Sequence, residues 1–279
     1  MEDNAYLIFI DKVPKIGINT LSLKDVEEKI AENKAKNLFL IIESYGGSPF
    51  DAIAIMNILH LRFPKISTII PCFAKSAATL MSLGTDEIYM QEKSALGPLD
   101  LPIEHHKDGS TISSLDIQNT ITSMAGLVGS IAEDRFKLFT ENTTISKKEA
   151  MKLSLDNATD FVKPIIQQVD PYHLQKAERE LRIGSWYAMD MLLKRMMKGQ
   201  YIKARKTANT LVKSFPAHEY SIFPEVAENM LGLKIKKISD LQLWESNLKK
   251  IYNNVCKKQY HIEYGIIKKN VIKNTKQKK

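Results

Sequence analysis

Short hydrophobic runs alternate with amphipathic segments over the first hundred residues of this 279-residue chain. Runs rich in β-branched and aromatic residues predict strands at 6–12, 37–44, 65–74 and 86–91. Segments with a helical hydrophobic period lie between them, at 22–35, 48–62 and 76–84. Strands separated by single helices imply right-handed crossovers, so the pattern predicts an α/β fold of stacked βαβ units with a parallel sheet.

Capping signals mark the starts of two of these helices. Ser22 is predicted as the N-cap of the first helix, with acidic residues following in its first turns. In the second helix Ser48 is followed by Pro49, the residue type favoured at the first helical position.

From residue 113 onward the pattern changes to long helical segments with few strand signals. The predicted helices are 115–142, 171–199, 203–215, 224–231 and 240–255. No internal repeat or low-complexity linker separates them from the first part of the chain. We therefore predict one α/β domain at 1–236, with a helical insertion at about 113–215, followed by a C-terminal helix and basic tail at 237–279.

Composition excludes several classes of protein. Hydrophobic residues make up 44% of the chain, as in an ordinary globular protein. No run of about 18 uncharged apolar residues occurs, and the first residues are acidic where a signal peptide would be basic, so we expect a soluble cytoplasmic protein. Cys72 and Cys256 give neither a disulfide framework nor a zinc-ligand spacing. The sequence therefore predicts no metal and no cofactor.

Positive charge is concentrated at the C-terminal end. Residues 234–279 hold thirteen lysines and three acidic residues, a formal charge of +10, while the whole chain carries +8. Such a tail is either a solvated chain end or a grip on an anionic partner or membrane surface, which would make the protein membrane-peripheral. Because the rest of the chain is slightly acidic, we do not expect specific nucleic-acid binding.

Two corners of the predicted sheet carry residues suited to chemistry. Gly46 and Gly47 follow a buried strand, where they serve either a turn that needs positive φ or a close approach of backbone N–H groups to a ligand. Ser76 stands between a strand and a helix, where its hydroxyl either caps the helix or acts as a nucleophile beside the N–H of Ala77. Because parallel strands end at one edge of the sheet, we expect both corners to lie close together.

These corners resemble a known superfamily. The stretches that carry the resemblance are "ESYGGSPFDAIAIMNIL", "FAKSAATLMSLGTDEIYMQEKSALGPLD" and "HEYSIFPEVAENMLGLKI". They are similar to the Clp protease and crotonase superfamily, and most of all to its serine dehydrogenase proteinase branch, a relative of signal peptide peptidase A. The similarity covers about residues 5–103 and returns at 218–235.

The resemblance implies a site and a substrate class. It implies Ser76 as the nucleophile, with the backbone N–H groups of Ala77 and of Gly46 or Gly47 as the oxyanion hole. It also implies an extended polypeptide substrate held by main-chain hydrogen bonds, and assembly into a homo-oligomer. Since the chain contains no P-loop, any ATP-driven unfolding of the substrate would need a partner.

The resemblance does not identify the general base. Where Clp proteases carry their histidine, this chain has "LGPLD", with Leu99 and Asp100 nearest the position. Signal peptide peptidase A relatives use a lysine, but Lys107 comes too early for it and Lys137 too late. Lys75 is next to the serine, which usually points a side chain away from it.

Among the histidines, His218 is the strongest candidate. His105 and His106 lie in a polar turn, and the remaining histidines fit structural positions. In the serine dehydrogenase proteinase branch a histidine is typical at the position of His218, and Asp100 or Glu219 could orient its ring.

The sequence thus predicts a serine endopeptidase with Ser76, His218 and Asp100 as catalytic residues. Two other hypotheses remain open. One is an acyl-CoA enzyme of the crotonase type, which would use the same oxyanion hole with carboxylates such as Asp100. The other is a catalytically inactive interaction or scaffold protein that binds a partner through its helical half and basic tail.

Overall fold

The computed structural model describes residues 4–13, 17–31, 35–100, 102–104, 111–142 and 144–267. The chain divides into two compact units. The first unit comprises Met1–Leu99 and Ser185–Lys279, and the second comprises Asp100–Gly184. The division at residue 236 that the sequence suggests stays a prediction.

Strands and helices are numbered in chain order within the described residues. The strands are β1 (Asn4–Asp11), β2 (Asn37–Ser44), β3 (Lys65–Ile70), β4 (Phe73–Ala74), β5 (Glu87–Met90), β6 (Ala95–Leu96), β7 (Pro102–Glu104), β8 (Thr111–Ser113), β9 (Ile235–Lys237) and β10 (Tyr260–Ile267). The helices are α1 (Thr20–Ile30), α2 (Pro49–Arg62), α3 (Ala77–Leu83), α4 (Ser114–Asn142), α5 (Lys147–Ile166), α6 (Pro171–Lys194), α7 (Tyr201–Lys213), α8 (Pro224–Asn229) and α9 (Lys249–Val255). A π-helix at Trp244–Leu248 precedes α9.

A single twisted sheet organises the first unit, in the strand order β10-β1-β2-β3-β5-β9. Its strands pair in parallel, apart from β10, which is antiparallel to β1. Helices α1, α2 and α3 connect successive strands, so the predicted parallel sheet of βαβ units is confirmed. The predicted helical character of the later chain is confirmed by α4 to α9.

The start of α1 differs from the prediction. Asn19, not Ser22, is the N-cap, and its side chain accepts hydrogen bonds from the N–H groups of Leu21 and Ser22. Ser22 instead lies inside the helix and is fully buried. Asparagine is as good an N-cap as serine, and here the helix begins three residues earlier than the hydrophobic period suggested. In α2 the prediction is confirmed, since Ser48 caps the helix through the N–H of Asp51.

The strand predicted at 65–74 is interrupted at Pro71 and Cys72, which form a bend between β3 and β4. Proline cannot donate a ladder hydrogen bond, and it ends a central strand for that reason. After the bend, β4 pairs with β2 at Ser44 and with β6. The bend therefore places β4 at the carboxyl end of β2, beside the diglycine turn.

The second unit contains the antiparallel pair β7 and β8 and the long helices α4 and α5. Helix α5 was not predicted from the sequence. Its buried residues recur every four positions, at Ala150, Ser154, Ala158 and Val162. Small buried residues with apolar residues on the flanks give a weak helical pattern, which explains why the sequence did not reveal it.

The C-terminal segment of the first unit packs on the sheet through a cluster that joins α9 to β2. The Tyr252 hydroxyl donates a 2.6 Å hydrogen bond to Glu43, and the Lys12 ammonium lies 2.8 Å from the same carboxylate. Glu43 is almost completely buried. Burial and the Glu43 carboxylate raise the pKa of Tyr252, so the phenol stays protonated and donates.

We expect Tyr252→Phe to lower the free energy of unfolding by about 1.5 to 3 kcal/mol, because it removes a hydrogen bond to a buried charge. Urea denaturation followed by circular dichroism measures the change. Tyr172→Phe is the control, since Tyr172 is 71% exposed, and we expect it to change stability by less than about 0.5 kcal/mol. Equal stability of the two variants would contradict the prediction.

Candidate functional site

Ser76 stands at a sharp turn between β4 and α3. Its backbone has φ 49° and ψ −119°, and it is the one non-glycine residue with positive φ in the described part of the chain. An L-residue with a side chain adopts this conformation only when the surrounding structure holds it there. A strained strand-to-helix turn of this kind presents a serine hydroxyl at the edge of a sheet in hydrolases.

The structure excludes the capping role for Ser76. Ser76 occupies the N-cap position of α3, but its side chain makes no capping hydrogen bond. Within the described residues its hydroxyl has no hydrogen-bond partner. The residue is half-buried, and the hydroxyl is therefore unengaged at the point where a nucleophile is needed.

Buried polar contacts fix the turn from below. The Lys75 N–H donates to the Ser44 carbonyl at 2.9 Å, which ties the turn to the end of β2. The Thr79 hydroxyl donates to the Ala74 carbonyl at 2.7 Å and accepts from the Gly97 N–H at 2.9 Å. Every residue of α3 is buried. These contacts offset the cost of the strained conformation at Ser76.

Gly46 lies directly against this turn. Its φ is +106°, and a Cβ added to it would lie 2.8 Å from the Ser76 Cβ and 3.0 Å from the Ala77 nitrogen. Only glycine permits so close an approach of the two backbones. The structure therefore brings the diglycine turn and the serine turn together, as the sequence predicts for two corners at one sheet edge.

The backbone on either side of Gly47 is held by hydrogen bonds to Ile18. Ile18 donates to the Gly46 carbonyl and accepts from the Ser48 N–H, both at 2.7 Å, in a parallel bridge opposite Gly47. In a parallel bridge the N–H of the facing residue points away from its partner. The Gly47 N–H is accordingly directed away from Ile18.

The backbone N–H groups at the two turns differ in whether they donate a hydrogen bond. The Gly46 N–H donates to the Ser44 hydroxyl at 3.1 Å. In the described structure, the N–H groups of Gly47 and Ala77 have no acceptor. An unengaged backbone donor beside an unengaged hydroxyl is the arrangement that an oxyanion hole requires. Of the two glycines that the sequence left open, Gly47 therefore has the available donor.

The Lys75 side chain contacts two other parts of the first unit. Its ammonium donates to the carbonyls of Leu96 and Tyr220, at 3.2 and 3.0 Å, and to the Ser221 hydroxyl at 2.9 Å. Ile222 also exchanges two backbone hydrogen bonds with Leu96, at 2.9 and 3.0 Å. The loop between α7 and α8 is therefore fixed to the serine turn.

This loop carries His218, which is half-buried, and the exposed Glu219. A turn bond from the Tyr220 N–H to the Ala217 carbonyl, 3.1 Å long, closes around His218. The contacts of residues 220–222 with Lys75 and Leu96 thus bring the loop of the predicted base to the turn of the predicted nucleophile. The contact of Lys75 with this loop could not be predicted from the sequence, because nothing in the spacing relates it to residue 220.

The structure also describes two further candidates from the sequence, Asp100 and Lys137. Asp100 belongs to the second unit and is buried, where its carboxylate accepts a 2.6 Å hydrogen bond from the Ser113 hydroxyl. Lys137 lies in α4 and forms an ion pair with Glu133. His105, His106 and Lys107 fall outside the described residues.

Further histidines have identifiable structural positions. The His60 ring nitrogen lies 2.6 Å from the Gly84 carbonyl, and burial lowers the pKa of this histidine. His261 lies 2.9 Å from the Glu263 carboxylate in β10. The His60 contact joins α2 to the end of α3, whereas the His261 contact lies within β10. That neither residue is the general base stays a prediction.

Aromatic side chains are exposed around the two turns. Tyr45 directly precedes Gly46 and stacks on Phe73 of β4, with ring centroids 4.6 Å apart. Tyr45 is 51% exposed and Phe223, at the start of α8, is 47% exposed. Exposed aromatic rings beside a reactive group offer apolar contacts to a bound chain.

Among the described residues, no three His, Cys, Asp or Glu side chains converge as ligands of a metal ion would. No described helix has both the length and the hydrophobicity that crossing a bilayer requires.

Comparison with protein families confirms the resemblance seen in the sequence. Residues 19–153 match the family described as ClpP-like SDH-type serine proteinase. An uncharacterized protein of Methanocaldococcus jannaschii is 30% identical over 100 residues, which cover 34% of this chain and 35% of that protein. The match thus spans about a third of the relative's length.

Solved structures give more distant matches. A mutant of a membrane-bound stomatin-specific protease has 12% sequence identity and a TM-score of 0.45, over 82% of this chain and 80% of that one. A second mutant of that protease, in complex with a substrate peptide, has 17% identity and a TM-score of 0.32, over 50% and 68%.

Proposed function

We propose that this chain, whose residues 19–153 match the family described as ClpP-like SDH-type serine proteinase, is a serine peptidase that acts through an acyl-enzyme at Ser76. The observation that carries the proposal is the backbone of Ser76, a strained positive-φ turn whose hydroxyl caps nothing. A serine held so at a structural cost of about 1 to 3 kcal/mol is better explained by reactivity than by stability.

The two available N–H groups supply the second half of the chemistry. When the Ser76 oxygen attacks a peptide carbonyl, the carbonyl oxygen gains negative charge as the tetrahedral intermediate forms. The N–H groups of Ala77 and Gly47 would donate to this oxygen, and the close approach of Gly46 to the serine turn supports this role. One such donor is worth about 100- to 1000-fold in rate.

Proton transfer falls to His218 in this proposal. The imidazole takes the Ser76 proton as the acyl bond forms and gives it to the leaving amine as the peptide bond breaks. Water then attacks the ester, and the same imidazole relays its proton. The position of the loop, fixed to the serine turn through residues 220–222, supports this role. A carboxylate that orients the ring, whether Asp100 or Glu219, stays a prediction.

Polypeptides are the proposed substrates. The exposed aromatic residues Tyr45 and Phe223 and the half-buried Phe73 offer contacts for substrate side chains, and the Gly47 backbone offers a main-chain donor. Assembly into a homo-oligomer and contact of the basic tail with an anionic partner or membrane surface stay predictions.

Labelling with a fluorophosphonate probe tests the proposal. We expect the full-length protein to form a covalent adduct, and we expect peptide mass spectrometry to place it on Ser76. The adduct requires the same attack and oxyanion stabilisation as peptide hydrolysis. We expect Ser76→Ala to abolish it, whereas Ser246→Ala, which changes an exposed serine, keeps the wild-type rate.

A folded wild-type protein that takes up no label would contradict the proposal. Binding of a CoA ester, detected as a thermal shift of such an unlabelled protein, would then favour the acyl-CoA hypothesis. Absence of both would favour the scaffold hypothesis.

A further inference from the structure

Lys75 is a half-buried cation whose hydrogen bonds use neutral acceptors. All three contacts of its ammonium go to uncharged oxygens, two of them backbone carbonyls. Within the described residues no carboxylate pairs with it. Burying a charge without an opposite charge costs free energy, so a structural position alone would favour an apolar side chain of similar length.

The three acceptors lie on two elements of the fold. The same two elements are also joined by the antiparallel bridge between Leu96 and Ile222. Leu96 belongs to β6, while Tyr220 and Ser221 belong to the loop that carries His218. Lys75 itself immediately precedes Ser76. One ammonium thus joins the residue before the proposed nucleophile to residues two and three positions after the proposed base.

The geometry argues against Lys75 as a base in its own right. Burial lowers the pKa of Lys75, which would suit a lysine that accepts a proton. An ammonium has three N–H donors, however, and the three observed contacts require all of them. A neutral amine has only two N–H donors and would lose one of these contacts.

We propose that Lys75 is a positioning residue, whose ammonium holds the loop of His218 at the distance from Ser76 that proton transfer requires. The inference rests on the proposed function, and in particular on His218 as the base.

A double-mutant cycle on the rate of fluorophosphonate labelling tests the inference. We expect Lys75→Met to lower the rate by about 10- to 100-fold, as misplacement of a catalytic group by about 1 Å does. We expect His218→Ala to lower it by about 100- to 10,000-fold. In the double variant the losses should not multiply, because displacement of the loop has no further effect on proton transfer once the imidazole is absent. Its rate should equal that of His218→Ala.

Two readouts separate positioning from general destabilisation. The wild-type rate should rise with pH across the range in which histidine titrates, about pH 5 to 8, and this rise should be lost in Lys75→Met. Hydrogen exchange of the Ile222 N–H, which is bonded to the Leu96 carbonyl, should become faster in Lys75→Met than in the wild-type protein.

Conservative and matched variants complete the test. Lys75→Arg keeps a cationic donor and should recover part of the rate and the pH dependence. Ser221→Ala removes one of the three acceptors, and its smaller loss tests the inference even where Lys75→Met fails to fold. Lys93→Met makes the same change at an exposed lysine and should leave the rate unchanged.

The outcomes distinguish this inference from the proposed function. A wild-type protein without label on Ser76 would overturn both. A labelled wild-type protein in which the losses from Lys75→Met and His218→Ala multiply would overturn the inference alone. A labelled protein in which His218→Ala costs nothing would also overturn it, while the acyl-enzyme at Ser76 would stand.

Discussion

Ser76→Gly is expected to be more stable than the wild-type protein and unable to form an acyl-enzyme. The positive φ of Ser76 costs an L-residue about 1 to 3 kcal/mol, whereas glycine adopts such a conformation readily. Because glycine also gains entropy in the unfolded chain, we expect a net increase of about 0.5 to 2 kcal/mol in the free energy of unfolding. Loss of the hydroxyl removes the nucleophile altogether.

Urea denaturation and fluorophosphonate labelling of the same preparations measure both effects. Ser76→Ala should lose labelling equally but gain no stability, because alanine is strained at this φ as serine is. Ser246→Gly places the same change in a helical turn, where we expect it to lower stability by about 0.5 to 1 kcal/mol. The explanation by strain would be wrong if Ser76→Gly and Ser76→Ala unfolded at the same urea concentration.

The corners of the sheet were predictable because their signals are local. Glycine at 46 and 47 and a serine before a helix are unusual residue types at strand ends, and parallel strands place their ends together. The strain at Ser76 was not predictable in this way. It depends on hydrogen bonds that Lys75 and Thr79 make with Ser44 of β2 and with Gly97, just after β6, which are remote in sequence.

Other features could not be predicted from the sequence, because they too depend on contacts or backbone conformations that local patterns do not reveal. The contacts of Lys75 join residues 75 and 220, which no helical or strand period relates. Strand β10 lies in the segment predicted as a C-terminal helix and basic tail, and it forms by pairing with β1 near the opposite end of the chain. The N-cap of α1 was misassigned because Asn19 and Ser22 are both good capping residues, and only the backbone conformation decides between them.

Gly46→Ala is expected to have the second large effect, the loss of labelling at Ser76 by at least about 100-fold. The added methyl group would lie 2.8 Å from both the Lys75 carbonyl oxygen and the Ser76 Cβ, so the serine turn must move. Steric overlap and the positive φ together should lower the free energy of unfolding by about 2 to 5 kcal/mol. The displacement also separates the Ala77 N–H from the reacting carbonyl.

Gly199→Ala isolates the contribution of backbone strain. Gly199 has φ +77°, but a Cβ at this position would meet nothing within 4 Å. We expect it to lower stability by about 1 to 2 kcal/mol and to leave the labelling rate unchanged. Labelling rates and urea denaturation of the two variants, compared below the onset of unfolding, separate geometry from stability. If Gly46→Ala were labelled as fast as Gly199→Ala, the close approach of the diglycine turn would not be needed for acylation, and the oxyanion hole would have to lie elsewhere.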